Sequence, residues 1–523
     1  MPEYLAPGVY VEEIERGPRP IEGVPTSTAA FLGETERGST KPRAITSYGD
    51  YKRWFGDVFG NRDRYMPYAV NGFFENGGRR MFACRVVGQG ALSAEREFGV
   101  FVARAVGAGE WGNRIWIRIS ASTTERVKDG NKTPVGFRVR SAYWASVPDG
   151  FDPFDPFDSD NRSILPRPTI MEDFDDLVLE RTSPDFYEKR LDDNSPLITL
   201  KGPDNDEETL PAFEVGMLGG GGDDGQELGV DDFQGEPVPG QRDEPQGLSA
   251  LTLDPYREVA LVHAPFHGPA PDLIAQAVIT HCELNRFRFA VVDSVPNQSD
   301  IASPELDPRT TLTDSSYSAF YYPWIKIADP QTGAMKMVPP GGYALGIYAR
   351  TDTERGVFKA PANEIVRGAV DLRFDINDRA QETLNPRGVN AIRRFAGRGI
   401  RVWGARTMSS NTLWKYVSVR RLFIFLERSI YEGTQWVVFE PNDDRLWARV
   451  KDTLRIFLRA QWREGALFGR TEEEAFFITC DRTTMSQDDI LNGRLICEIG
   501  IAPVRPAEFV IFRVFQQTAE AQR

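Results

Sequence analysis

Three histidines and a cysteine lie near one another in the sequence: His263, His267, His281 and Cys282. Imidazole nitrogen and thiolate are ligands that zinc favours, so metal binding is the first chemistry to consider. The spacing does not support it. H-x-x-x-H followed by a distant His-Cys pair is not a ligand pattern, and His281 and Cys282, adjacent on a helical stretch, point in different directions. These residues read as strand-end and helix-surface positions, and no metal is expected. Gly107-Ala-Gly-Glu-Trp-Gly112 spells G-x-G-x-x-G. A dinucleotide site needs those glycines between a strand and a helix whose N-terminus holds the pyrophosphate. Residues 113–119 alternate like a strand, so the glycines read as a turn and no cofactor is expected. The acidic run 152–160 lacks the glycine and terminal glutamate of a calcium loop. Asp293 closes an apolar run of the kind that ends in catalytic acids, but no base or nucleophile accompanies it. G-x-S-x-G, H-E-x-x-H and the Walker lysine are all missing from the sequence, so no catalytic residue is assigned.

The elements that would position any site follow from the patterning. Residues 258–263, 271–285 and 287–293 read as strand, helix and strand, a βαβ unit that implies a parallel sheet. Further strands are expected at 29–33, 82–87 and 115–119, and a helix at 48–59. Towards the C-terminus the sequence predicts helices at 414–431 and 444–464. Strands are predicted there at 435–440, 475–480, 491–501 and 508–515. The fold class is therefore α/β, or α+β taken over the whole chain.

With 523 residues the chain should hold two to four domains of about 100–200 residues each. Its 41% hydrophobic and 26% charged composition is that of a globular protein. The first residues show neither a basic n-region nor an apolar h-region, so no signal peptide is expected. No run is long enough for a membrane helix, so direct membrane insertion is not expected. The four cysteines, Cys84, Cys282, Cys480 and Cys497, show no C-x-x-C spacing, which argues against a disulfide framework and suits a reducing compartment.

The net charge of −14 is unevenly spread. Residues 150–250 carry about 26 acids against about 7 bases, roughly −19. That stretch, within a Pro-, Gly- and Asp-rich region at 121–250, reads as an exposed insertion with little core of its own. The C-terminal part from 385 is mildly basic, but its bases are not interleaved with stacking aromatics, so nucleic acid is not an expected partner. On the 444–464 helix, Leu446, Val450, Leu454, Phe457 and Leu458 share one arc. Arg445, Arg449, Lys451, Arg455, Arg459 and Arg463 lie opposite, with Asp452 the only acid between Arg445 and Arg463. A self-solvating face would mix signs, so this stripe suggests an acidic partner surface. At the N-terminus, residues 8–14 read as a short strand on a proline-rich tether. With the terminal strand at 508–515, this suits strand addition to neighbouring molecules.

Several ordered motifs then resemble the contractile tail sheath family: phage tail sheaths, R-type pyocins and extracellular contractile injection systems. They include Pro7-Gly-Val-Tyr-Val-Glu-Glu13, Gly23-Val-Pro-Thr-Ser-Thr-Ala-Ala-Phe-Leu-Gly33, Phe73-Phe-Glu-Asn-Gly-Gly78, Trp111-Gly-Asn113 and Tyr322-Pro-Trp324. The second half adds Arg355-Gly-Val-Phe-Lys-Ala-Pro-Ala-Asn363, Leu384-Asn-Pro-Arg-Gly-Val-Asn390, Arg398-Gly-Ile-Arg-Val-Trp-Gly-Ala-Arg-Thr407, Val438-Phe-Glu-Pro-Asn442 and Ala502-Pro-Val-Arg-Pro-Ala-Glu-Phe509. Only about 121–250 fails to match.

The resemblance implies a structural subunit, not an enzyme. Such a subunit polymerises as stacked hexameric rings around an inner tube, then contracts to drive the tube through an envelope. It implies an N-terminal arm at 1–25, central outer domains at 26–384 with a subtilisin-like fold, and a C-terminal domain at 385–523 facing the tube. Strand exchange is expected at Val9, Tyr10, Val11, Phe509, Val510, Ile511 and Phe512, and tube contact at the six bases above. Implied partners are further copies, the inner tube, the baseplate and a tail-terminator or cap protein. Assembly is expected in the bacterial cytoplasm, and the product is a phage tail or a tail-like particle that can be released. An α/β hydrolase or protease-like enzyme is the alternative reading.

Overall fold

The computed structural model describes residues 20–59, 64–128, 131–147, 155–162, 165–192, 194–204, 208–236 and 245–513. The strand expected at 8–14, with Val9, Tyr10 and Val11, lies outside them. The chain divides into two compact units. The larger covers 25–355 and 359–420; the described part of the other comprises 20–24, 356–358 and 421–513.

The larger unit is built on a nine-stranded sheet. Ala29–Gly33 is short, apolar and buried throughout, the signature of a strand covered on both faces. It pairs in parallel with Met81–Arg85 on one side and Leu261–His263 on the other. Leu261–His263, Phe289–Asp293, Ser318–Tyr322 and Val389–Phe395 continue the parallel order. The edge strands are antiparallel: Arg43–Ile45 at one end, Gly399–Val402 and Glu364–Ile365 at the other. The expected βαβ unit is present. Its helix is Pro271–Asn285, opened by proline, whose missing N–H costs nothing in the first turn. Helices Met66–Glu75 and Gly341–Arg355 pack closely because glycines lie at their contact. A Cβ on Gly72 would stand 2.4 Å from the Tyr343 ring, and one on Gly342 2.4 Å from the Ala69 carbonyl oxygen.

The acidic insertion departs from expectation. It contributes to a separate core in which Phe98, Phe101, Ile115, Ile117, Phe137 and Val139 meet Leu177, Leu191, Leu197, Ile198, Leu200 and Leu218. Strands Ile170–Leu177, Phe137–Tyr143, Ile115–Ala121 and Val215–Met217 form one sheet, and Ile198–Lys201, Phe101–Ala105 and Glu95–Phe98 another. The acids conceal this core in the sequence. In Ile170–Leu177, Asp173 accepts from Arg138 Nε at 2.7 Å and Glu172 from Ser141 at 2.8 Å, so carboxylates occupy strand positions satisfied by cross-strand partners. Leu228, Phe233 and Leu248 join the main core.

In the smaller unit, helix Asp444–Arg463 matches expectation and is capped by Asp443, whose side chain accepts from the N–H groups of Arg445 and Leu446. Ile21 packs at Gly433, and Val24 N–H donates to Ser429 Oγ at 3.2 Å. Three predicted strands differ. Residues 435–440 form a 3₁₀ turn, Gln435–Val437, and a loop; among the described residues no strand pairs with them. The stretch 491–501 keeps strand only at Glu498–Ile501, after helix Gln487–Leu491, which Ser486 and Asp489 cap reciprocally. Residues 508–513, the described part of the terminal strand, carry no regular secondary structure among the described residues.

Candidate functional site

The residues first suspected of chemistry are committed elsewhere. His263 ends its strand fully buried. Its Nδ1 lies 2.9 Å from the Val291 carbonyl and its Nε2 3.4 Å from Asp293 Oδ2. Burial pushes the imidazole down to about 4 and the Asp293 carboxyl up to about 7. The other Asp293 oxygen accepts the Gly341 N–H at 2.6 Å, at the start of helix Gly341–Arg355, where a carboxylate oxygen fits the unsatisfied N–H groups.

His267 sits edge-on to Tyr65 and Trp324. His281 is not at a helix surface, as the sequence suggested, but buried, with Arg288 Nη1 2.6 Å from its Nε2. Burial and that guanidinium hold it down to about 3. The Cys282 thiol is fully buried and pushed up to about 12. Among the described residues, no three His, Cys, Asp or Glu side chains are grouped to hold a metal ion.

The G-x-G-x-x-G run leads into a 3₁₀ turn, Glu110–Arg114, and then strand Ile115–Ala121. Gly107 is backed so closely by the Gly38 carbonyl that a Cβ would stand 2.1 Å from it. It is a turn between strands. From the acidic run, Asp155 pairs with Arg118 at 2.9 Å.

The C-terminal unit instead presents surfaces. Strands Phe476–Thr479 and Glu498–Ile501 form a two-stranded antiparallel sheet, so each has one strand partner among the described residues. Beyond it, Phe509, Val510, Ile511 and Phe512 are 72%, 68%, 77% and 87% exposed. Four consecutive large apolar side chains in solvent, with no strand assigned to them among the described residues, form an exposed apolar patch of the kind that marks an interaction surface.

Helix Asp444–Arg463 buries Leu446, Trp447, Val450, Leu454, Phe457 and Leu458. Arg445, Arg449, Arg455 and Arg463 lie exposed and Arg459 half-exposed on the other side. Lys451 is at the flank, where its charge acts on Cys480, Asp481 and Cys497. The stripe is more relieved than its sequence indicates. Glu472 approaches Arg455 at 3.3 Å and Arg459 at 2.6 Å, and Glu440 approaches Arg449 at 3.4 Å. The Arg459 hydrogen bond holds Glu472 below the usual carboxylate range. Ile456, 48% exposed, interrupts the bases.

Sequence reasoning missed Glu472, whose place in a Glu472–Glu474 run was the available signal, and Phe439. Phe439 stands fully in solvent with φ of 69°. Its loop is tied back on either side: Arg449 lies over the Trp436 ring, and Asn442 accepts from Trp447 Nε1 at 2.8 Å.

Comparison with known proteins places these surfaces in context. Residues 242–408 match the family model of the phage tail sheath protein central domain, and residues 409–517 that of the phage tail sheath C-terminal domain, together more than half of the chain. The chain belongs to the phage tail sheath family. That family is structural, not enzymatic, which removes the hydrolase alternative.

The sheath chain is 29% identical over 280 residues to a prophage major tail sheath protein of Pseudomonas aeruginosa, covering 51% of this chain and 68% of that protein. It is 21% identical over 234 residues to the tail sheath protein of Vibrio phage KVP40, covering 44% of this chain and 33% of that one. Its fold is that of the contracted sheath of the extracellular contractile injection system PVC, with TM-score 0.59 at 22% identity over 100% of both chains. It is likewise that of the contracted helical sheath of the anti-feeding prophage, with TM-score 0.56 at 24% identity over 98% of this chain and 99% of that one.

Proposed function

We propose that this sheath protein polymerises with itself as stacked hexameric rings around an inner tube, and that contraction of the array drives the tube through a target envelope. The observation that carries this reading is the exposed segment from Phe509 to Phe512, in the same unit as a sheet that has two strands among the described residues. One backbone hydrogen bond contributes about 1 kcal/mol net, so strand addition is weak per contact and strong when repeated through an array. In this scheme residues 1–25 form an arm, with Val9, Tyr10 and Val11 exchanged between subunits. Residues 26–384 form the outer domains and 385–523 the tube-facing domain. The bases at Arg445, Arg449, Lys451, Arg455, Arg459 and Arg463 meet an acidic tube. Exposed ion pairs of about 0.2–1 kcal/mol suit a contact that must break on contraction, and repetition supplies the strength. Baseplate and terminator proteins would close the ends, with assembly in the bacterial cytoplasm.

Electron microscopy tests the reading. A chain carrying Phe509→Asp and Phe512→Asp should remain folded and soluble but form no cylinders; normal cylinders would overturn it. Charge reversal at Arg445, Arg449 and Arg459 together should abolish extended, tube-filled sheath while leaving polymerisation into empty contracted sheath. Extended, tube-filled particles from that variant would move the tube contact elsewhere.

A further inference from the structure

Cys480 follows strand Phe476–Thr479, and Cys497 precedes its partner Glu498–Ile501. The register pairs Phe476 with Ile501 and Thr479 with Glu498, so the next pair along the ladder is Cys480 with Cys497. The hydrogen-bond phase is fixed one step before the sheet begins. Ala502 N–H donates to the Ala475 carbonyl at 2.9 Å, which makes 475 and 502 a hydrogen-bonded pair. Alternation from there makes Cys480 and Cys497 a non-hydrogen-bonded pair. Such pairs bring Cα atoms to about 4.5 Å with side chains close together, inside the span a disulfide bridges.

Side-chain direction agrees. Phe476, Ile478 and Cys480 on one strand, and Cys497, Ile499 and Ile501 on the other, all enter the same core cluster. The two thiols also interact directly, each perturbing the other's ionisation. Both are free thiols, Cys480 buried and Cys497 half-buried, so Cys497 is the one a reagent reaches first.

We propose that Cys480 and Cys497 are a redox-modification site that closes into an intrachain disulfide when the protein meets a small-molecule disulfide, stapling the two-stranded sheet and the segment 481–496 between its strands. The Cys497 thiolate attacks one sulfur of the reagent and expels a thiolate, leaving a mixed disulfide on Cys497. The Cys480 thiolate then attacks the Cys497 sulfur and expels the second. The protein loses two electrons and two protons, and the reagent is reduced to two thiols. A reducing compartment keeps the pair open, and an oxidising exterior closes it. Burial raises both thiols, Cys497 to about 12, so closure is slow: a hardening of the aged protein, not a rapid signal. The staple does not depend on the tube or strand-exchange assignments.

The test incubates the full-length protein with oxidised glutathione at about pH 8, followed by denaturing alkylation and non-reducing peptide mass spectrometry. The expected product is a peptide pair joining Cys480 to Cys497, lighter by two hydrogens, on a chain that stays monomeric on a non-reducing gel. Cys84 and Cys282 should be alkylated in full. Hydrogen exchange at 476–479 and 498–501 should slow severalfold in the oxidised protein and recover with dithiothreitol. Cys497→Ser should lose both the linkage and the slowing. Full alkylation of both cysteines, glutathione held on Cys497 beside a free Cys480, or linkage between chains would each overturn the proposal.

Discussion

Arg459 Nε donates to Glu472 Oε2 at 2.6 Å, and Arg455 Nε stands 3.3 Å from the other oxygen of the same carboxylate. One glutamate from the short helix Glu472–Ala475 thus answers two bases of the long helix and divides its basic face. Arg445 and Arg463, at the two ends, have no ion pair among the described residues, whereas the bases between them are partly neutralised.

Replacing Glu472 by Gln should therefore strengthen the proposed tube contact. The amide cannot neutralise two guanidinium groups, so more positive charge faces outward, and screening by salt acts on a larger attraction. Co-sedimentation with inner tube should persist to higher ionic strength than for the unaltered protein. A lower salt tolerance would show that the pair orders the surface and does not mask it.

The His263–Asp293 pair predicts a pH-dependent difference. The Asp293 carboxyl is held near 7 in the fold. Its protonated form is favoured, so its contribution to stability is complete below about 4 and is lost as pH rises through 7. His263, held near 4, has the opposite sense: its contribution is complete above about 6.5 and is lost as pH falls through 4. An Asn at 293 can accept from Gly341 N–H as Asp293 does, and its amide nitrogen, placed where Asp293 Oδ2 stands 3.4 Å from His263 Nε2, carries no charge into the buried site. Asp293→Asn should match the unaltered protein below about pH 4 and exceed it increasingly as pH rises towards 7, by at most about 4 kcal/mol at pH 8. Denaturant midpoints across pH measure this; a constant difference would refute it.

The insertion should resist replacement. Ile198 and Leu191 are fully buried in the second core, and truncating such side chains to Ala costs about 2–5 kcal/mol each. Ile198→Ala should lower the unfolding midpoint, and a short Gly/Ser linker in place of 150–250 should give insoluble or partly unfolded protein. A soluble, cooperatively unfolding linker variant would count against the second core.

Phe439 occupies the left-handed region, which costs a bulky residue about 1–2 kcal/mol, and its ring is fully exposed. Phe439→Asn, a residue that tolerates this conformation, should raise the stability of the isolated chain by about 1 kcal/mol. Chemical denaturation reads the change directly. Unchanged or lower stability would mean that the loop relaxes without strain.

Local physics made part of this protein legible from its sequence. A 3.6-residue period places Leu446, Val450, Leu454 and Phe457 on one face wherever the helix packs, and helix Asp444–Arg463 follows. Proline at position 271 and apolar runs on either side of the helix imply the βαβ unit, and the ordered motifs carry the family. Tertiary structure decided what depends on residues far apart in the chain. Residues 435–440 have strand-like composition but, among the described residues, no strand with which to pair. Asp173 looks like solvated charge until Arg138 lies across the ladder, and Glu472 counts against the basic stripe only once its helix folds back. Cys480 and Cys497 look unrelated until the register sets them opposite each other. The physical reason is common to all four. Period and capping are properties of a single backbone segment, whereas burial, ion pairing and register are set by which segment arrives opposite, and that choice belongs to the summed packing of the whole unit.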